Sequence, residues 1–214
     1  MPSNPLEQIT TTMNPLGSEL AGARTAKPCA LVIFGATGDL TKRKLVPSLM
    51  GLAKDGLLPP GFAVVGYARR PWSDETFRDE MLDGVRLYGR GDTNAAFESL
   101  ADSFSYRSAD FADPAGYTAL AEHLERLDHK LGTAGNRIFY LATPPSAYST
   151  ILRNLAAAGL STEQPGRFSR VIVEKPFGRD LPTATALNEQ IREGFHERQV
   201  FRIDHYLGKE TVQN

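Results

Sequence analysis

A glycine-rich turn near the start of the chain has a composition suited to binding a phosphate group. Gly35 and Gly38 follow the apolar run 31–34, and a helical pattern begins directly after them. A strand, a glycine turn and a helix N-terminus in that order can hold a nucleotide pyrophosphate. Glycine lets the backbone approach the phosphates, while first-turn N–H groups and the helix dipole attract negative charge. Because Gly-x-x-Gly is shorter than the full dinucleotide fingerprint, a tight turn without a ligand stays open on these residues alone.

Two arginines follow the next apolar run, residues 62–67. A site for NAD usually has an acidic residue at this place, where it accepts a hydrogen bond from the ribose 2′-hydroxyl. Arg69 and Arg70 would instead bind a 2′-phosphate through charge-assisted hydrogen bonds. The pair therefore favours NADP over NAD, with a pair of solvated surface arginines as the alternative.

Strand and helix patterns alternate along the rest of the chain. Short apolar runs predict strands, and apolar residues three or four apart predict the helices between them. This alternation favours a parallel sheet. With the glycine turn it predicts an α/β fold, a Rossmann-like, doubly wound, mostly parallel sheet with helices on both faces. The predicted strands occupy residues 31–34, 62–67, 104–107, 138–142, 170–175 and 200–204.

Several helices have recognisable boundaries or apolar faces. Ser73 is a candidate N-cap, and Asp113 with Pro114 starts a second helix. Pro47 predicts a kink in the helix that follows the glycine turn. The apolar faces are predicted from Leu40, Leu45, Leu49 and Leu52, from Phe77, Met81 and Val85, and from Leu120, Leu124, Leu127 and Leu131. Three histidines lie among charged residues and are predicted to be solvated: His123, His129 and His196.

In a parallel sheet of this type, ligands bind at the carboxyl ends of the strands. The residues that follow the predicted strands should therefore meet at one edge of the sheet. They are the turn 35–38, Arg69 and Arg70, Pro144 and Pro145, residues 174–176, and Asp204 with His205.

Composition excludes several other classes of function. The chain has 214 residues and a net charge of −1. This charge does not favour binding to nucleic acid or to an anionic membrane. It has no apolar run of membrane-spanning length. Its single cysteine, Cys29, can form neither an internal disulfide nor a cysteine metal cluster, and it fits a reducing cytoplasm. No metal site is predicted.

The segment 202–210, Arg-Ile-Asp-His-Tyr-Leu-Gly-Lys-Glu, closely resembles the active-site signature of the glucose-6-phosphate dehydrogenase family. Residues 35–44 and 173–178 resemble segments of the same family, as do residues 65–69 and 136–142, all in the family's order. The resemblance extends from about residue 29 to residue 214. It implies oxidation of the C1 hydroxyl of D-glucose 6-phosphate to 6-phosphoglucono-lactone, with hydride transfer to NADP+, as the first step of the pentose phosphate pathway.

The resemblance also implies roles for individual residues. The coenzyme would contact Gly35, Ala36, Thr37, Gly38, Asp39, Leu40, Lys42, Arg69, Tyr148 and Lys175. The sugar phosphate would contact Lys44, Lys175, His205, Tyr206 and Lys209. Asp204 would orient the catalytic histidine and stabilise its cationic form. From residue types alone, Asp204 could equally be a strand-end cap and His205 a surface histidine.

In that family the proton-accepting histidine lies downstream, in a second domain built on an antiparallel sheet. We therefore expect residues 1–27 to form a mobile tail and residues 28–214 an NADP-binding domain, with the catalytic domain absent and the fragment inactive. For the full-length protein we expect a homodimer or homotetramer. Two alternatives stay open: a non-catalytic NADP-binding sensor, and a dehydrogenase of another sugar phosphate.

Overall fold

A computed structural model describes residues 26–175, 177 and 180–204. The predicted tail lies almost wholly outside the described residues, and so do His205, Tyr206 and Lys209. No helix in the described ranges is long and apolar enough to cross a membrane.

The described residues form one parallel sheet of six strands in the order β3-β2-β1-β4-β5-β6. Each predicted strand is present, with ends shifted by one or two residues. The order reverses between β1 and β4, as in the dinucleotide-binding form of the doubly wound fold. The strands are β1 (Cys29–Phe34), β2 (Phe62–Ala68), β3 (Phe104–Ser108), β4 (Arg137–Leu141), β5 (Ser169–Glu174) and β6 (Val200–Ile203).

In the part of the chain that the structure describes, six α-helices connect the strands. Ser73 accepts a hydrogen bond from the Thr76 N–H, and Asp113 accepts one from the Ala115 N–H, so both predicted N-caps are confirmed. Gly159 lies just after the helix that follows β4 and has the left-handed conformation common at helix ends. The helices are α1 (Val46–Lys54), α2 (Asp74–Tyr88), α3 (Asn94–Leu100), α4 (Pro114–Leu131), α5 (Tyr148–Ala157) and α6 (Leu181–Gly194).

A π-helical turn, Thr41–Leu45, precedes α1, and it explains how Pro47 fits. The Val46 N–H donates to the carbonyl of Thr41, five residues back. Proline lacks an N–H and its ring clashes with the carbonyl four residues earlier, so the wider turn makes room for it. The turn also shifts the buried face of the helix. Met50 is fully buried, whereas Leu52, predicted to be on the apolar face, is 42% exposed.

The two faces of the sheet are covered unequally. On one face, α4, α5 and α6 pack against side chains from both halves of the sheet. On the other face, α1, α2 and α3 bury the side chains of β1, β2 and β3. Over β4, β5 and β6 that second face has no described helix, and Ile138, Ile172 and Ile203 stay partly exposed. The fold prediction is confirmed, but the helices within residues 26–204 that the structure describes cover only half of this second face.

The prediction of a solvated His123 is wrong. The side chain is buried between β3 and α4, where Nε2 lies 2.8 Å from the Ser105 hydroxyl and Nδ1 lies 2.7 Å from an Arg107 guanidinium nitrogen. Because arginine can only donate, Nδ1 is the acceptor and Nε2 carries the proton. Burial first and the Arg107 charge second lower the pKa of His123 to about 4. His129 and His196 are exposed as predicted.

Candidate functional site: a cleft at the carboxyl ends of the strands

An open cleft of about 680 Å³ lies at the carboxyl ends of β1, β2 and β4, where the strand order reverses. In doubly wound sheets this switch point is the usual ligand site. Three predicted segments meet there: the glycine turn, the arginine pair and the residues after β4. The lining residues are Gly35, Thr37, Gly38, Ala68, Arg69, Arg70, Pro71, Phe111, Ala142, Thr143 and Pro144.

Gly35 can only be glycine in this conformation. Its φ is +80°, and a Cβ atom there would lie 2.4 Å from the Ala142 carbonyl oxygen at the end of β4. The Gly35 N–H donates to the Tyr67 carbonyl at 2.8 Å, and the Gly35 carbonyl accepts from the Gly38 N–H at 2.9 Å. The turn is thus held against both neighbouring strands, and its backbone is presented to the cleft without a side chain in front of it.

The helix that leaves the turn begins at Asp39. The first N–H groups of a helix have no acceptor within the helix, and together with the helix dipole they favour an anion. Ala36 is fully buried beneath the turn, Leu40 packs on the core, and the exposed Asp39 pairs with Arg43 at 3.1 Å. Ala36 and Leu40 therefore shape the turn, and their side chains are directed away from the cleft.

Arg69 and Arg70 are exposed at the opposite wall of the cleft, directly after β2. The Tyr106 hydroxyl lies 2.7 Å from the Arg70 carbonyl and 3.1 Å from the Ala68 carbonyl, so it fixes this part of the backbone. The Arg70 guanidinium lies 5.6 Å from the centre of the Trp72 ring. Burial raises the pKa of Tyr106 to about 12, which keeps its hydroxyl protonated and able to donate.

Three residues expected at the ligand do not line this cleft. Lys42 Nζ is 2.7 Å from a carboxylate oxygen of Glu80 on α2, and this contact raises the pKa of the lysine. Lys44 lines a separate cavity of about 310 Å³ together with Arg43 and Arg90. Tyr148 is 1% exposed and packs in the core on the helix-covered face, where burial raises its pKa.

The ends of β5 and β6 bring together Lys175 and Asp204, as predicted. Lys175 Nζ lies 2.5 Å from an Asp204 carboxylate oxygen, and the Lys175 N–H donates to the Ile203 carbonyl at 3.3 Å. The preceding residue, Glu174, accepts a hydrogen bond from the Tyr140 hydroxyl. The lysine side chain is about half exposed, at 56%, so it can exchange its partner for a ligand.

Sequence reasoning missed three lining residues, of which Pro71 directly follows the arginine pair. Phe111 and Thr143 both line the cleft. Phe111 follows β3, and extending the strand-end rule to that strand would have included it. Thr143 lies between β4 and the proline pair that was identified, and its type gave no chemical signal.

The fold and the cleft define a dinucleotide-binding domain of the Rossmann-like type. A family model described as "Glucose-6-phosphate dehydrogenase, NAD binding domain" matches residues 32–214. The chain therefore belongs to the glucose-6-phosphate dehydrogenase family, in its nicotinamide-dinucleotide-binding part.

Among its relatives, glucose-6-phosphate 1-dehydrogenase 2 of Mycobacterium tuberculosis H37Rv is 46% identical over 192 residues, which are 89% of this chain and 37% of that protein. The glucose-6-phosphate 1-dehydrogenase of Chlamydia muridarum is 48% identical over 192 residues, covering 87% of this chain and 38% of the relative.

A solved structure of glucose-6-phosphate dehydrogenase in complex with glucose 6-phosphate superposes with a TM-score of 0.78 at 35% identity. The match covers 89% of this chain and 39% of that one. The chain thus spans less than two fifths of the length of these relatives.

Proposed function

We propose that this chain is the coenzyme-binding domain of an NADP-dependent glucose-6-phosphate 1-dehydrogenase. The complete enzyme would oxidise C1 of D-glucose 6-phosphate to 6-phosphoglucono-lactone. The cleft at the switch point carries the proposal, because it combines a turn that exposes two glycines, a helix N-terminus and two arginines. The names of the relatives support the reaction and the substrate.

The choice of NADP+ over NAD+ rests on Arg69 and Arg70. Both are exposed on the cleft wall that follows β2, where a carboxylate would be expected for NAD+. A guanidinium binds a phosphate through parallel charge-assisted hydrogen bonds, which a ribose hydroxyl cannot match. Thr37, across the cleft in the glycine turn, is the second residue proposed at the 2′-phosphate. The backbone of residues 35–40 would hold the pyrophosphate.

When bound, the nicotinamide ring supplies the hydride acceptor. The chain's own contribution at the reacting end is the pair formed by Lys175 and Asp204. In the described state Asp204 holds the lysine ammonium group at 2.5 Å, at the end of two adjacent strands. We propose that Lys175 turns toward coenzyme and sugar. The Asp204 carboxylate would then support the histidine that accepts the C1 hydroxyl proton.

The remaining substrate contacts are proposed for residues outside the described ranges. His205, Tyr206 and Lys209 would bind the sugar phosphate or its hydroxyls, with Lys44 as a further cation. The proton acceptor would come from polypeptide beyond residue 214, in the part of the enzyme that this chain does not span. We further propose a cytoplasmic enzyme, consistent with a lone buried cysteine, that assembles as a homodimer or homotetramer.

Titration of both coenzymes against Arg69→Ala tests the NADP+ assignment. NADP+ binding should weaken by about 1.5–3 kcal/mol, because only NADP+ carries the 2′-phosphate, while NAD+ binding should stay within about twofold. Arg86→Ala is the matched control, since Arg86 pairs with Asp83 on α2 and does not line the cleft. Calorimetry measures both affinities. Equal losses for the two coenzymes in Arg69→Ala would contradict the assignment.

A turnover assay separates the enzyme from the alternatives. The 1–214 chain should bind NADP+ and form no detectable NADPH with glucose 6-phosphate, because general-base catalysis alone contributes about 10²–10⁴ in rate. The complete polypeptide should turn over glucose 6-phosphate faster than other sugar phosphates. Binding of NADP+ without any turnover by the complete polypeptide would favour a sensor module. Robust turnover by the 1–214 chain would show that the proton acceptor lies within it.

Asp204→Asn in the complete enzyme tests the role of the carboxylate. An amide keeps the shape but cannot stabilise a histidine cation, so kcat should fall by about tenfold or more with little change in KM. Steady-state kinetics gives both values. A kcat within about twofold of the parent, which corresponds to about 0.4 kcal/mol in barrier, would make Asp204 a strand-end cap.

A further inference from the structure

One half of one sheet face is open in the described residues. We define the open sheet face as the outward side chains of β4, β5 and β6 and of the residue before β5: Ile138, Phe168, Arg170, Ile172, Phe201 and Ile203. Phe201 is 44% exposed, Arg170 is exposed, and the others are partly buried. Their neighbours in the strands, such as Val171 and Val173, point to the other face and are fully buried under helices.

An apolar parallel sheet face without a cover is unusual. Parallel sheets occur almost only with both faces covered, because their strands are rich in apolar residues on both sides. Here the three isoleucines come from three adjacent strands, and Phe201 is the register partner of Ile172 on the neighbouring strand. Phe168 precedes β5 at the amino-terminal end of the same face. Together these side chains form a contiguous apolar surface, and surfaces of this kind are typical of contact sites.

Arg170 places a positive charge on this apolar surface. Its guanidinium lies 4.3 Å from the centre of the Phe168 ring and 5.5 Å from that of the Phe201 ring. A guanidinium set on an apolar surface selects for a carboxylate in whatever packs over it, since the bidentate pair satisfies its donors when water is excluded.

We propose that the open sheet face is the docking surface for the polypeptide that follows this region in the longer relatives, through an apolar element with a carboxylate opposite Arg170. Two observations favour this occupant. Relatives carry about three fifths of their length outside the matched region. The chain also leaves the sheet from β6, a strand that itself contributes Phe201 and Ile203 to the face, so the following polypeptide starts beside it.

The first experiment compares radical footprinting of the 1–214 chain and of the longest polypeptide that contains it in frame. Phe201 and Phe168 should be modified at least about fivefold less in the longer polypeptide, because the centre of an interface is dehydrated. Tyr88 on α2 is the matched control, since it is 42% exposed, close to the 44% of Phe201. It should react equally in both. Equal modification of Phe201 in the two chains would overturn the proposal, and so would equal protection of Tyr88.

The second experiment places a charge on each side of β5. Ile172→Lys should lower the Tm of the longer polypeptide by about 5 °C or more and leave the 1–214 chain within about 2 °C. Val171→Lys, one residue away on the covered face, should destabilise both. Neither result depends on coenzyme or substrate, so failure here leaves the proposed reaction unaffected.

Three outcomes would overturn this assignment, and two of them would identify another occupant. If the 1–214 chain dimerises and Ile172→Lys dissociates the dimer without changing the Tm of the longer polypeptide, a second copy covers the face. If deletion of residues 1–25 raises the modification of Phe201 in the 1–214 chain, the N-terminal segment covers it. An encoded chain that ends at Asn214 would also overturn the assignment.

Discussion

The two halves of the sheet differ in how many of their faces are covered by the described helices. Strands β1, β2 and β3 are covered on both faces, and their carboxyl ends supply the glycine turn and the arginine pair. Among the described residues, helices cover strands β4, β5 and β6 on one face only, and the ends of β5 and β6 supply Lys175 and Asp204. The cleft proposed to bind the coenzyme thus lies mainly on the half that helices cover on both faces. The residues proposed for catalysis lie on the other half, which has one face that no described helix covers.

The largest expected effect contrasts two phenylalanines, one from each half. Phe77 is fully buried against Gly66 and lies 5.4 Å from the Tyr106 ring, so Phe77→Ala should cost about 3–5 kcal/mol of unfolding free energy. Phe201→Ala in the same 1–214 chain should cost less than about 1 kcal/mol, because the ring is half exposed.

Urea unfolding with equal m-values would measure both free energies. Similar losses for the two variants would break the comparison, because Phe201 would then be as well packed as Phe77.

A smaller effect on stability is expected when the pH is lowered, through His123, which packs against the edge strand β3. The pKa of His123 is lowered to about 4 in the folded chain, against about 6.5 when the chain is unfolded. As pH falls from about 6.5 to about 4, the unfolded chain takes up this proton and the folded chain does not. Stability should fall across that window by about 2–3 kcal/mol.

The pH dependence of the unfolding free energy tests this in His123→Gln, which should lose that part of the slope whatever its stability at neutral pH. His129→Gln, at an exposed position of α4, should keep it. An unchanged slope in His123→Gln would show that other groups set the acid sensitivity.

The smallest effect compares two tyrosine hydroxyls. Tyr106 donates toward the backbone beside Arg70, so Tyr106→Phe should loosen the arginine segment and weaken NADP+ binding by about 0.5–1.5 kcal/mol with less effect on NAD+. Tyr140 lies on the open half and donates to Glu174, so Tyr140→Phe should leave the coenzyme preference unchanged. Calorimetric titration of both variants would decide. If both variants changed the preference for NADP+ over NAD+ equally, both halves of the sheet would contribute to that preference.

Much of the fold could be predicted because local signals agreed with the packing. Ser73 and Asp113 are N-caps in sequence and in structure, and all six strands follow apolar runs. Leu52 was misplaced because the π turn adds a residue to one helical turn and shifts the following face, which no simple periodicity contains. His123 was misjudged because its partners Ser105 and Arg107 come from a strand that precedes it in sequence and meets it only in the fold.

For the site, the position of the cleft could be predicted from the sequence. Glycine, arginine and strand-end positions identify the cleft, because the strand order places them on one edge of the sheet. The partners that charged side chains choose could not be predicted. Lys42 pairs with Glu80 from a different helix, and a sequence offers several acids within reach.

Because Gly35 packs closely against Ala142, the glycine turn and the end of β4 cannot move independently of each other. A Cβ atom at Gly35 has no room, so a substitution there must displace the end of β4 as well as the turn. That displacement would reach the proline pair and the half of the sheet that carries Lys175. Loss of coenzyme binding in a Gly35→Ala variant would therefore not identify Gly35 as a contact residue. The same variant would have to be checked for the position of β4, for example by hydrogen exchange of the Ala142 amide, which donates to Phe34 across the junction.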